Sequence, residues 1–204
     1  HRKERGEKPT HFQHRLLSPL HLLKLWEHFT LPRLYTPILL GGERWSSPMV
    51  DDVRELDLPP DVVKLLIEEW GIERLHPPQA EAMPIALSGQ NLLLAIPTAS
   101  GKSLVAYLAI LQRLLVDSPG SRAFYLVPLK ALAAEKVEEL RQAGDRLGLL
   151  VGMAIGDRSG ETVSLDDADI IVATSEKFDS LMRNKNDFLS QVSIVVADEI
   201  HLIH

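Results

Sequence analysis

Two short stretches of this chain carry residue types that could perform phosphate chemistry together. The first is Ile96-Pro97-Thr98-Ala99-Ser100-Gly101-Lys102-Ser103, and the second is Asp198-Glu199. In the first, the backbone N–H groups of a turn can aim at one anion, and the helix start that follows favours negative charge. Gly101 lets the backbone come close to phosphate oxygens, with Pro97, Thr98, Ala99 and Ser100 completing the cradle. Lys102 would reach the β- and γ-phosphates of a nucleoside triphosphate, and Ser103 would place its hydroxyl on Mg²⁺. The general form of such a loop opens on glycine, and here that position is Ile96. A Gly-Lys-Ser triplet also occurs at helix starts that bear only a surface lysine. The apolar run before this one and the helical period after it favour the phosphate reading.

Asp198-Glu199 follows the apolar run SIVVA at 193–197. A carboxylate there can hold Mg²⁺, with Asp198 in that role, and Glu199 is the candidate base for an attacking water. An Asp-Glu pair after a strand is ordinarily a helix-start acid; its order behind a phosphate loop gives it the functional reading. His201 and His204 form no metal site, because HExxH is absent and no third ligand accompanies them.

The elements that must position these residues alternate along the chain. Periodicity predicts a helix over 61–70 closed by Gly71, and a second over 79–87 with Pro77-Pro78 in its first turn. A strand over 91–96 leads into the loop and a helix over 103–116 leaves it. Strands over 123–127, 149–155, 170–173 and 193–197 and helices over 129–143 and 175–183 follow. The strands are apolar throughout, as in a parallel sheet covered by helices on both faces. The expected class is α/β, with both phosphate-handling stretches on the carboxyl edge of one sheet.

The composition, 45% apolar and 25% charged, is that of a globular protein. No cysteine is present, which excludes disulfides and thiol nucleophiles and fits a cytoplasmic location. No apolar run approaches the length of a membrane span. The net charge of −6 disfavours a permanently basic nucleic-acid module. That average hides a boundary near Met49. Residues 1–48 carry eight Lys and Arg against four Glu, leaving 14 basic and 24 acidic residues for 49–204. Five prolines interrupt 1–48. A transit-like leader, a basic arm, or an upstream translated stretch foreign to the native protein are the alternatives. The last is the expectation, with 1–48 poorly structured and 49–204 holding both phosphate-handling stretches.

Residues 96–103 with Asp198-Glu199-Ile200-His201 resemble motifs I and II of superfamily 2 helicases of the DExH type, in which a small apolar residue commonly opens the loop. Pro77-Pro78-Gln79 resembles the Q motif, whose glutamine reads adenine. Residues 127–133 (VPLKALA) resemble motif Ia and 173–177 (ATSEK) motif Ib, and Gly156-Asp157 matches a short turn between them. Over 49–204 the strings are similar to the archaeal DNA helicase family acting at stalled forks, whose members unwind DNA 3′ to 5′. The resemblance implies a RecA-like first motor lobe, truncated at its C-terminus, that uses ATP and Mg²⁺. It implies backbone contacts from Pro128, Lys130, Thr174 and Ser175 to single-stranded or forked DNA, with RNA not excluded. It further implies a second RecA-like lobe supplying an arginine finger, without which this fragment is expected to bind nucleotide weakly and unwind nothing.

Read from chemistry alone, Gln79 is either an amide that grips an adenine edge or an exposed helix-start residue. Thr174 or Ser175 is a helix cap, a phosphate donor, or both. An RNA helicase lobe and a non-catalytic nucleotide platform are the competing functions; a kinase or GTPase lacks its further motifs here.

Overall fold

The computed structural model describes residues 38–40, 50–96, 100–156, 158–159, 163–184 and 186–199. Asp61 and its neighbours start α1 (Pro60–Lys64), with Pro60 in the first turn, where no amide hydrogen is missed. The helix runs on as a π turn, Leu65–Glu69, that buries Leu65 and Leu66. Pro77 opens α2 (Pro77–Leu87) in the same manner. A short strand, β2 (Leu93–Ala95), precedes the phosphate loop, and α3 (Lys102–Gln112) follows it. Beyond them come β3 (Arg122–Val127), α4 (Lys130–Leu147), β4 (Val151–Ile155) and β5 (Arg158–Ser159). The chain closes with β6 (Ile170–Thr174), α5 (Ser175–Arg183) and β7 (Val192–Ala197). Gly148 ends α4 at φ 72°, a left-handed stop that glycine adopts without steric cost.

The main sheet has the order β5-β4-β6-β3-β7, and its β4, β6, β3 and β7 are mutually parallel. Alternation along the central strands divides the core. Tyr125 and Val127 of β3 and Ile170 and Val172 of β6 pack with Ala133, Val137 and Leu140 of α4 and Ile110 of α3. Phe124, Leu126, Ile171 and Ala173 face the other way, against Phe178 and Leu181 of α5 and Phe188. Helices therefore cover both faces, as the uninterrupted apolar runs require. Full burial of a ring such as Phe124 contributes on the order of 2–3 kcal/mol. A third cluster joins α1, α2 and α3 through Leu65, Leu66, Met83, Leu108 and Leu111.

One expectation needs correction. Among the described residues the strand before the phosphate loop is not paired into the sheet that holds the strand before Asp198. Among the described residues β2 pairs in parallel with β1 (Ile38–Leu40), and β7 is an edge strand paired only with β3. Ile38–Leu40 is also the only part of 1–48 among the described residues. Among the described residues no helix is long and apolar enough to cross a membrane.

Candidate functional site

The phosphate loop and the carboxylate pair meet although their strands lie in different sheets. Helix α3 brings them together, because Tyr107 and Ile110 on its buried side pack with Ala123 and Tyr125 of β3, the neighbour of β7. Its first residue, Lys102, thereby points its ammonium at Glu199 Oε1, 3.7 Å away, and donates to the Ile96 carbonyl at 3.4 Å. Both side chains are about three-quarters buried, at 23% and 22% exposure, so solvent screens this pair less than a surface one.

Gly101 turns at φ 74°, in the left-handed region that residues with a Cβ rarely visit. A Cβ at this position would lie 2.0 Å from Gln79 Nε2. The cradle is thus closed from behind by Gln79, whose Nε2 donates to the Gly101 carbonyl at 3.1 Å. Gln79 Oε1 accepts from the His76 N–H at 2.8 Å, which caps the start of α2. The glutamine is 4% exposed, so the reading of it as an exposed helix-start residue is corrected: it is a buried link between α2 and the loop. A cleft of about 410 Å³ opens beside it, lined by Gly71, Ile72, Glu73, Arg74, His76, Gln79 and Leu104. A larger cleft of about 490 Å³, lined in part by Asp57, Gln112 and Arg146, includes neither the loop nor the carboxylates. Pro97, Thr98 and Ala99 lie outside the described residues, as do Asp157, Ile200 and His201. Ser100 and Ser103 are half-buried at the loop's end and in the first turn of α3.

At the end of β7 the Asp198 N–H donates to the Leu126 carbonyl at 2.9 Å, extending the ladder by one bond. Asp198 Oδ1 accepts from the Glu199 N–H at 2.9 Å, and Glu199 turns at φ 47°. A non-glycine residue in that region costs on the order of 1 kcal/mol, a kind of strain concentrated at functional sites. Asp198 Oδ2 accepts from the Tyr125 hydroxyl at 2.7 Å. Burial first, and the Asp198 charge second, push the Tyr125 phenol well above its ordinary range, so it remains a protonated donor. The apolar run 123–127 predicts a strand without setting Tyr125 apart. Its signal was a polar tip inside the apolar run AFYLV, since a buried tyrosine hydroxyl needs a partner.

Three neighbouring strands bring the other named residues to the same carboxyl edge. Pro128 follows β3 and Lys130 begins α4, Thr174 ends β6 and Ser175 begins α5, and Gly156 follows β4. Val127 stands opposite Thr174 in the register, so these two helix starts are neighbours. Lys130 Nζ lies 3.1 Å from the Cβ position of Gly156. Thr174 is the N-cap of α5, accepting from the Lys177 N–H at 3.4 Å. The Ser175 hydroxyl is buried and has no hydrogen-bond partner among the described residues. The arrangement therefore has a loop and carboxylates suited to a nucleoside triphosphate, and beside it a row of helix starts suited to phosphates of a backbone.

Comparisons with known proteins identify the family. The family model described as DEAD/DEAH box helicase matches residues 76–204. The chain is 52% identical over 142 residues to the ATP-dependent DNA helicase Hel308 of Pyrococcus abyssi, covering 69% of this chain and 19% of that protein. It is 48% identical over 156 residues to the Hel308 of Methanocella arvoryzae, covering 74% of this chain and 20% of that one. The chain therefore spans about a fifth of the length of these relatives. Among solved structures, the RNA helicase Prp28 from Chaetomium thermophilum bound to ADP superposes with a TM-score of 0.65 at 26% identity, over 78% of this chain and 41% of that one. S. cerevisiae Dbp5 bound to RNA and ADP BeF3 does so with a TM-score of 0.61 at 23% identity, over 74% and 39% of the two chains. The likeness to Dbp5 bears on the fold alone.

Proposed function

The chain belongs to the DEAD/DEAH box helicase family, and from that premise we propose that it is the ATP-binding lobe of an ATP-dependent DNA helicase. The observation that carries the proposal is the approach of Lys102 to Glu199, which joins the phosphate loop to the carboxylate pair across two separate sheets. Identity of 52% to a DNA helicase, against 26% to an RNA helicase, favours DNA over RNA as the strand on which it moves.

The residues fit a nucleotide and a hard cation. Ser103 and Asp198 offer a hydroxyl and a carboxylate, the oxygen donors Mg²⁺ takes, leaving its other positions to water and phosphate. When bound, the cation neutralises charge developing on the phosphates. The loop N–H groups from Pro97 to Ser103, proline excepted, bind the phosphates, with Gly101 giving close approach. Lys102 neutralises the β- and γ-phosphates. An incoming phosphate competes with Glu199 for the Lys102 ammonium, and the Glu199 carboxylate is the base for the attacking water. Gln79 holds the loop through Gly101 while lining the cleft beside it, so adenine bound there would be sensed at the phosphates. Pro128, Lys130, Thr174 and Ser175 grip the nucleic-acid backbone from the starts of α4 and α5. A second lobe of the same protein closes the site.

The test is ATP hydrolysis by the longer protein that contains this chain, with single-stranded DNA or RNA of the same sequence. Stimulation by DNA well above that by RNA is expected. Equal or greater stimulation by RNA would replace the DNA reading with the RNA one.

A further inference from the structure

We infer that Tyr125 is a positioning residue for phosphate cleavage: its phenol fixes the Asp198 carboxylate in the orientation that holds the divalent cation. This deepens the nucleotide-site reading above and rests on it.

Tyr125 sits in the middle of β3, the strand next to β7, and is fully buried. Its hydroxyl donates to Asp198 Oδ2 at 2.7 Å, while the Glu199 N–H donates to Oδ1 at 2.9 Å. One donor on each oxygen fixes the plane of the carboxylate. An ionised carboxylate has about four lone-pair sites, so two bonds leave capacity for a cation.

The phenol cannot swing aside. Its ring lies 5.6 Å from that of Tyr107, which in turn lies 6.2 Å from Trp70. The Tyr107 hydroxyl is itself anchored to Glu139, which Lys136 holds at 3.0 Å. A phenylalanine would fill the same space in β3. The hydroxyl is what the packing does not require, and Asp198 is where it goes. Outer partners that orient a metal-binding carboxylate typically matter about 10–100-fold in metal affinity or activity.

The experiment measures the affinity of the full chain for a fluorescent, non-hydrolysable ATP analogue across a Mg²⁺ titration, for wild type, Tyr125→Phe, Asp198→Asn and the double variant. Thermal melts confirm that each is folded; phenylalanine keeps the ring against which Tyr107 packs. Tyr125→Phe is expected to raise the Mg²⁺ concentration for half-maximal effect on the order of tenfold. Asp198→Asn is expected to abolish most of the Mg²⁺ effect, and adding Tyr125→Phe to it to change nothing more, as for groups acting through one contact. An unchanged Mg²⁺ curve in Tyr125→Phe would overturn the inference. So would an equal loss of affinity without Mg²⁺, or a Tyr125→Phe effect that persists in full beside Asp198→Asn, since each marks a packing role. A wild-type chain whose nucleotide affinity ignores Mg²⁺ would overturn the nucleotide-site reading itself, and the inference with it.

Discussion

Gly101 shows how much of a phosphate loop depends on its surroundings. The need for glycine followed from the motif, because the backbone must approach an anion without a Cβ. What closes the loop from behind did not follow. Gln79 is distant in sequence, and only the packing of α2 against α3 brings its amide to the Gly101 carbonyl. Gly101→Ala places a methyl group 2.0 Å from Gln79 Nε2 on a backbone at φ 74°. The left-handed strain alone costs about 1–2 kcal/mol. The variant is expected to lose nucleotide affinity by about 10-fold or more, read by isothermal titration, together with a lowered melting temperature. Wild-type affinity in that variant would show that the loop has slack where the contact says it has none. Tyr125 belongs to the same lesson: its strand was legible, and its hydroxyl's partner was not, because that partner arrives from β7.

The elements themselves were largely legible, since each is punctuated by residues with a local physical effect. Pro77 marks the start of α2 as expected, whereas α4, expected to stop at 143, runs on to Leu147 and stops at Gly148. The apolar runs of β3 and β6 announced strands buried on both faces, and the structure shows them so. The short β5 escaped notice because its two residues carry no apolar pattern. Helix starts are where element and function coincide. Lys130 begins α4 beside Gly156, and Thr174 caps α5 one strand away. For a backbone contact without base reading, Lys130→Ala in the longer protein is expected to weaken single-stranded DNA binding similarly for different sequences. The slope of log affinity against log salt should fall by about 0.7. A loss confined to one sequence, or an unchanged slope, would remove Lys130 from the nucleic-acid edge.

On the scale of the whole molecule, β3 is the shared beam. It pairs with β6 on one side and β7 on the other, so the row of helix starts and the carboxylate pair are ends of neighbouring strands. Nothing local to β2 reveals its place outside that sheet; strand partners are non-local, and a three-residue strand specifies little. The sites nevertheless converge, through the packing of α3 on β3. The central claim is that this convergence makes one nucleotide site out of Lys102 and the Asp198-Glu199 pair. Equilibrium binding of Mg²⁺·ATP to the full chain tests it most directly, with Lys102→Ala as the comparison. Loss of the ammonium that meets the phosphates is expected to weaken binding by about 10-fold or more, as for a charge-assisted contact worth about 1.5–3 kcal/mol. Equal affinity in the two proteins would contradict the account.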